Sequence, residues 1–357
     1  MPISWGLPWC HDAGMMRAVA DAQSQLTSLV GRPVEAAQFS SDVYSALQRA
    51  LTFDGWCLLG LDPHTGLRTS QFGGRGTEHT AEMARNEALM SDVNKYADLA
   101  VAACPAGWLS AEHPQARSSF RLHEILLPQG FHSEIRLALR DQGGRLWGAL
   151  VLFREHPNRP FDDHDAAVVC ALASPLTSVV RAYPVRPLPR RGSAPGAGVV
   201  ALAPDNRVVA VSAEAQAWLD DLVPGGDDQT HAGDVTRVLF DAAHAIRHRD
   251  TVQASTCVRT VSGHWLRVDG TAVSVGDADV TVILQPATVH QLLDTVAICH
   301  RLTARESRIL SLLTHGLASK QIARQLGISV YTVNEHLGSL YRKCDVTGRE
   351  ELIGRLT

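Results

Sequence analysis

Between Pro184 and Gly198 the chain places four prolines, three glycines and three arginines in fifteen positions, a run that can neither wind as a helix nor pair as a strand. It splits the 357 residues into two parts, and at roughly 100–200 residues per domain there is room for two or three folded units. Charge marks a second boundary. Residues 301–357 carry nine Lys/Arg against five Asp/Glu, a net +4, which leaves 24 basic and 32 acidic residues in 1–300, a net −8. A basic end on an acidic body points to a polyanionic partner for that end. The expected division is 1–183, a linker 184–197, a second unit 198–287, a connecting helix 288–300 and a terminal unit 301–357.

Several classes are excluded at once. Lysine occurs only at 95, 320 and 343, so a Gly-x-x-x-x-Gly-Lys phosphate loop is absent, and the lysine and acidic cluster of a phosphoacceptor receiver are not expected. No uninterrupted apolar run nears the eighteen residues that span a bilayer, and the start Met1-Pro2-Ile3-Ser4-Trp5 lacks a basic, then apolar, leader. The expectation is a cytoplasmic chain with no membrane partner. Seven cysteines, widely spaced and without a Cys-x-x-Cys pair, fit neither a disulfide framework nor a standard zinc site, and read mostly as buried thiols.

Periodicity sketches the elements. Helices are expected over 12–30 and 39–52, then a hairpin of Trp56–Leu61 and Leu67–Phe72 around Asp62-Pro63-His64-Thr65-Gly66. A polar helix over 78–100, an irregular 101–118 and a short helix at 118–127 follow. Ser133–Arg140 and Leu146–Phe153 form a second hairpin whose last strand, apolar on both faces, belongs mid-sheet. Val169, Leu172, Leu176 and Val179 mark a closing helix over 162–182, which Pro175 should kink. Past the linker, two strands, a helix at 212–222, a glycine-rich loop at 224–233, a helix at 234–249 and three strands make a second α+β unit. Val289, Leu292, Leu293 and Val296 give the connecting helix one apolar stripe, expected as a dimer contact.

From Leu302 four short helices punctuate themselves. Thr303-Ala304-Arg305-Glu306 is a capping box, Gly316 stops the first helix, Ser319 is expected to cap the second, and Gly327-Ile328-Ser329 is the turn into the third. Thr347-Gly348-Arg349-Glu350 is expected as a second capping box. Val333, Leu337 and Leu340 fall on one side of the third helix, and the order is that of a helix-turn-helix with flanking helices.

Three strings, Leu302–Glu306, Gly316–Ala323 and Ser329–Leu337, resemble the LuxR-type helix-turn-helix over about 56 residues. Ala304 stands where that family usually has proline, and Asn334 where it often has lysine. The resemblance implies double-stranded DNA as partner, with Lys320, Thr332, His336 and Lys343 on phosphates, Asn334 and Glu335 near base edges, and Ser329 and Tyr331 completing the set. Asp92–Ala100, the Leu146–Phe153 strand and Phe161–Asp165 are similar to GAF-type regulators with such a terminal module, and 198–287 is similar to a PAS domain. These imply sensing of an unidentified small-molecule effector and a homodimer, with no cofactor and no catalytic activity.

Other residues are better explained blandly. Cys10-His11-Asp12 has poor geometry for one metal ion, and Asp162-Asp163-His164-Asp165 suits a helix N-terminus, where acids complement the dipole. Trp218 and Trp265 read as core, while Trp56 and Trp147 are the candidates for a ligand pocket. The expected fold is therefore multidomain α+β, GAF-like then PAS-like, with an all-α helix-turn-helix domain at the end. The expected function is a sequence-specific DNA-binding regulator. The alternative is a ligand or redox sensor that works mainly through protein contacts and binds DNA weakly.

Overall fold

The computed structural model describes residues 13–77, 80–222, 239–248 and 253–356. Cys10-His11-Asp12, the 224–233 loop and the first turn of the helix expected at 234–249 lie outside them.

The first unit opens with helices α1 (Ala13–Ser28) and α2 (Ala36–Ala50) and continues through β1 (Gly55–Leu61), β2 (Arg68–Gly73), α3 (Thr80–Leu89), α4 (Tyr96–Val101) and β3 (Ala106–Ser110). A π-helical turn at Arg121–Leu126, β4 (Phe131–Arg140), β5 (Leu146–Glu155) and α5 (Asp163–Ala182) complete it. The strands form one antiparallel sheet in the order β2-β1-β5-β4-β3. β5 is central, as its two-faced apolar sequence requires. On one side Leu150 and Leu152 pack with Phe39, Val43 and Leu47 of α2 and Leu172, Leu176 and Val179 of α5. On the other, Val151 and Phe153 meet Leu122 and Leu126 of the π-helical turn. Each large apolar side chain buried this way contributes about 1.5–3 kcal/mol.

The closing helix runs unbroken through Pro175. The Ala171 carbonyl, which proline cannot serve, accepts instead from Gln23 Nε2 of α1 at 2.8 Å. Asp162 caps α5 in a capping box with Asp165, and Asp165 is also paired with Arg154 at 2.8 Å, so the acidic cluster is a helix start. By length and composition Asp163–Val185 could cross a membrane, but in this fold its apolar side covers the sheet.

The structure corrects three expectations in this unit. The helix expected over 78–100 is two helices, broken where Asn94 turns to φ 56° and Asn94 Nδ2 donates to the Trp108 carbonyl at 3.1 Å. The irregular 101–118 contains edge strand β3, hidden because Ala106-Gly107-Trp108 has no alternation. Cys104 and Cys170 are joined as a disulfide, their Cα atoms 6.5 Å apart where the α4–β3 connection crosses α5; 66 positions of sequence separated them. Cys57, Cys257, Cys299 and Cys344 are buried thiols as expected.

The second unit comprises β6 (Gly198–Leu202), β7 (Val208–Val211), α6 (Ala213–Asp221), α7 (239–248), β8 (Gln253–Arg259), β9 (Trp265–Val275) and β10 (Ala278–Pro286). Its antiparallel sheet runs β7-β6-β10-β9-β8. Val280, Val282 and Leu284 of β10 alternate inward onto Trp218 and Leu219 of α6 and Ala242 and Ala243 of α7.

The linker is not loose throughout, contrary to its composition. Arg186 is buried and donates to the Val34 carbonyl, and the Arg191 amide donates to the Ser262 carbonyl, so this part of the linker is held by the α1–α2 connection and the β8–β9 turn. The stripe of α8 (Val289–Cys299) is also corrected: Leu292 and Val296 are buried inside the chain, in one cluster with Cys257 and Trp265 and the terminal helices. Leu292 and Val296 are thus occupied intramolecularly, while Val289 and Leu293 are half-buried beside them.

Candidate functional site

The terminal helices are α9 (Ala304–Thr314), α10 (Ser319–Leu326), α11 (Val330–Lys343) and α12 (Arg349–Leu356). Thr303 and Glu306 form the expected capping box, with the Thr303 amide donating to Glu306 Oε2 at 2.7 Å. Ser319 does not cap α10; the cap is Ala318, whose amide donates to Gln321 Oε1 at 2.8 Å. At α12 the Thr347 amide and hydroxyl both donate to Glu351, one residue beyond the expected Glu350. Gly327 at φ 65° ends α10 in the left-handed conformation that glycine adopts without penalty, and Ser329 Oγ accepts from the Thr332 amide at 3.0 Å to start α11.

Val333, Leu337 and Leu340 bury one side of α11 against Ile309, Leu313 and Ile322. The other side is left to solvent: Val330, Tyr331, Asn334, Glu335, Gly338 and Arg342 are exposed, Tyr331 at 72%. Residues three and four apart share a helix face, so these make one continuous stripe. Lys320 is exposed at the start of α10, Ser329 and Thr332 share a hydroxyl contact of 2.9 Å at the start of α11, and His336 is half-buried beside the stripe. An α-helix presenting such a stripe fits a major groove, with tyrosine and valine able to meet thymine methyls and the amide and carboxylate able to read base edges.

Lys343 is placed otherwise. Its ammonium donates to Glu306 Oε2 at 2.6 Å and to the Arg301 carbonyl, because Glu306 is buried at the head of α9 and needs a counter-charge. Burial would raise the Glu306 carboxyl, but the bonds from Lys343, Thr303 and Ser339 outweigh it and bring it down to about 2. A depressed carboxylate stabilises the fold fully above its ordinary value of 4.5, and that contribution is lost as pH falls from there toward 2. Lys343→Met should cost about 2–3 kcal/mol at neutral pH and move the acid unfolding midpoint of the whole chain upward, as followed by circular dichroism between pH 2 and 5. An unchanged acid midpoint would show that the clamp contributes nothing.

A cavity of about 480 Å³ opens on the first sheet beneath α3 and α4. Leu59, Val151 and Phe153 line its floor, Tyr96 and Arg136 one side, and His244 of α7 another. Arg136 is buried, donates to the Asn94 carbonyl and to Glu87 at 2.8 Å each, lies 3.8 Å from the centre of the Tyr96 ring, and has an Nε with no hydrogen-bond partner among the described residues. Burial pushes the Tyr96 phenol up to about 12. The Glu87 carboxyl, which burial would raise, is held low by Arg136. Arg68 and Asp241, paired at 3.3 Å, tie this cavity's rim to the second sheet unit. Trp56 and Trp147 do not line it: Trp56 is buried in the opposite core beside Tyr44, and Trp147 donates to Asp141 at 3.0 Å. The signal for Arg136 was present in the sequence as a charged residue set between the apolar Ile135 and Leu137 of β4. Those for His244 and Asp241 depend on the docking of α7 and were not legible.

Residues 300–356 match the family model for bacterial regulatory proteins of the luxR family, and residues 43–178 match that for the GAF domain. Over 54 residues the chain is 44% identical to the monoamine regulon transcriptional regulator of Klebsiella aerogenes, covering 15% of this chain and 24% of that protein. Over 50 residues it is 46% identical to a putative HTH-type transcriptional regulator, YhjB, of Escherichia coli K12, covering 14% of this chain and 25% of that protein. The chain thus spans about a quarter of the length of these relatives. A solved structure of an N-acylhomoserine lactone dependent LuxR family factor, CepR2 from Burkholderia cenocepacia, is 18% identical, with a TM-score of 0.32 over 48% of this chain and 96% of that one. The chain therefore carries a GAF domain within its first sheet unit and ends in a luxR-family helix-turn-helix module.

Proposed function

We propose that this chain is a sequence-specific transcription regulator of the cytoplasm that binds double-stranded DNA as a homodimer and has no catalytic activity of its own. The observation that carries the reading is the exposed stripe of α11, polar and aromatic, on a helix whose other side is fully packed. α11 enters the major groove, Lys320 and the hydroxyls of Ser329 and Thr332 hold phosphates, and a two-fold dimer sets half-sites about one helical turn apart. In the domain division, 1–183 and 198–287 serve sensing and 301–357 serves reading. The cavity under α3 takes a small molecule that presents an acceptor to Arg136 and apolar surface to Leu59 and Phe153.

The test is a gel shift of the full chain on fragments of its own upstream region across a salt series. Lys320→Ala should weaken binding on all sequences alike and flatten the plot of log affinity against log salt by about one unit of slope. An unchanged slope removes Lys320 from the interface, and no binding at any salt concentration refutes the reading as a whole.

A further inference from the structure

A second cavity, of about 450 Å³, lies where the linker, the β8–β9 hairpin and α12 come together. Its wall includes Arg186, Leu188 and Arg190 from the linker, Arg259 and Trp265 from the hairpin, and Arg355 from α12. Four guanidiniums thus face one seam, and the single carboxylate among the described lining residues, Glu351, is already engaged by Arg355 at 2.6 Å and by Thr347. Among the described residues the hydrogen-bond partners of Arg186 are neutral, the carbonyls of Val34 and Tyr183 and the Tyr183 hydroxyl, with Glu35 acting on it from a distance.

Arg259 is the telling residue. Among the described residues its guanidinium has no hydrogen bond and no ion pair, its Nε is buried without a partner, and it lies 4.9 Å from the ring centre of Trp265. The Trp265 indole nitrogen is likewise buried and unpartnered. Burial, with Arg190 and Arg186 nearby, lowers the Arg259 guanidinium to about 10, the direction expected for a cation held without a counter-charge. A cation in such a place is costly unless something anionic completes it. The surrounding surface is apolar, from Leu188, Trp265 and Leu356.

We propose that this seam binds a small organic anion, a carboxylate or phosphate head on an apolar body. The head sits on Arg259 and Arg190, and the body lies along Trp265 and Leu188. The volume suits a ligand of that size. Because the walls belong to the linker, the second sheet unit and the reader module, an occupant fastens α12 to the body of the chain. The site stands whether or not the module binds DNA, since its test reads occupancy alone.

Octanoate and octyl phosphate, each at constant ionic strength with chloride as the control, are titrated into the full chain by calorimetry, with thermal melting alongside. Saturable binding of either probe at millimolar concentration or below, and a raised melting temperature, are expected; which probe binds more tightly distinguishes a carboxylate ligand from a phosphate one. Arg259→Gln should weaken the better probe about tenfold or more, from loss of a charge-assisted hydrogen bond in a shielded site. Arg190→Gln, at an exposed position that the fold does not need, should weaken it in the same direction. Arg259→Lys should retain part of the affinity. Absence of saturable binding by both probes overturns the proposal, as does binding that is unchanged in both glutamine variants.

Discussion

Arg121→Met is expected to destabilise the first sheet unit by about 3–5 kcal/mol, the cost of leaving a buried charge without its partner. Arg121 and Glu134 are both completely buried. The guanidinium donates from Nε to Glu134 at 2.9 and 3.2 Å, from Nη1 to Asn86 Oδ1 at 3.0 Å and from Nη2 to the Val93 carbonyl at 2.7 Å. Its main-chain amide donates to Asp92 Oδ2 at 2.8 Å, and Asn86 Nδ2 donates to the same oxygen at 2.7 Å. One side chain thus ties α3, which roofs the cavity, and the Asp92–Val93 turn to strand β4, which carries Arg136. Denaturant unfolding should show a lower midpoint with its slope preserved. The paired variant Arg121→Met/Glu134→Met should be less damaged than Arg121→Met alone, since it removes Glu134 with its partner, while the buried Asp92, 3.8 Å from the guanidinium, loses Arg121 in both variants. A loss below about 1 kcal/mol in Arg121→Met would mean that water or relaxation satisfies Glu134, and the roof is then not held by this pair.

The elements that were legible in the sequence are those whose reasons are local. Strand β5 reads as central because both of its faces are apolar, and Thr303 with Glu306 reads as a helix start because a capping box is a four-residue pattern. The exposed and buried sides of α11 follow from 3.6-residue periodicity alone. What was hidden depends on residues distant in sequence. The linker looks unstructured by composition, yet Arg186 finds the Val34 carbonyl 152 positions away. The α8 stripe is correctly apolar, but periodicity does not say what covers an apolar face, and the cover is this chain's own Trp265 and Ile309. Lys343 has the type and place of a phosphate ligand; only the burial of Glu306, 37 residues away, shows where its charge is used. Trp56 and Trp147 fit a pocket by residue type, and the register of β1 and β5 sends both elsewhere.

Glu335→Ala is expected to erase preference at one C·G pair per half-site while holding or raising affinity for unrelated DNA. The carboxylate is exposed on the α11 stripe beside Asn334, and among the described residues it has no ion pair. Arg349, a cation that could have claimed it, donates instead to the carbonyls of Leu317 at 2.9 Å and Leu313 at 3.2 Å. An acid kept unpaired on a face that meets a polyanion raises the non-specific cost of binding, because phosphates repel it. It offsets that cost only where it can accept a hydrogen bond from a base edge, and the cytosine N4 amino group is the donor that the major groove offers to a carboxylate. Such a contact is worth about 1–3 kcal/mol of discrimination, or about 5–150-fold in affinity between the right base pair and a wrong one. Binding of the variant to the operator and to each single-base substitution separates the outcomes. Base readout flattens the profile at one position of each half-site, and removal of a charge that merely faces phosphate tightens binding everywhere. An equal loss on every sequence would instead place Glu335 among the residues that hold α11 in its fold.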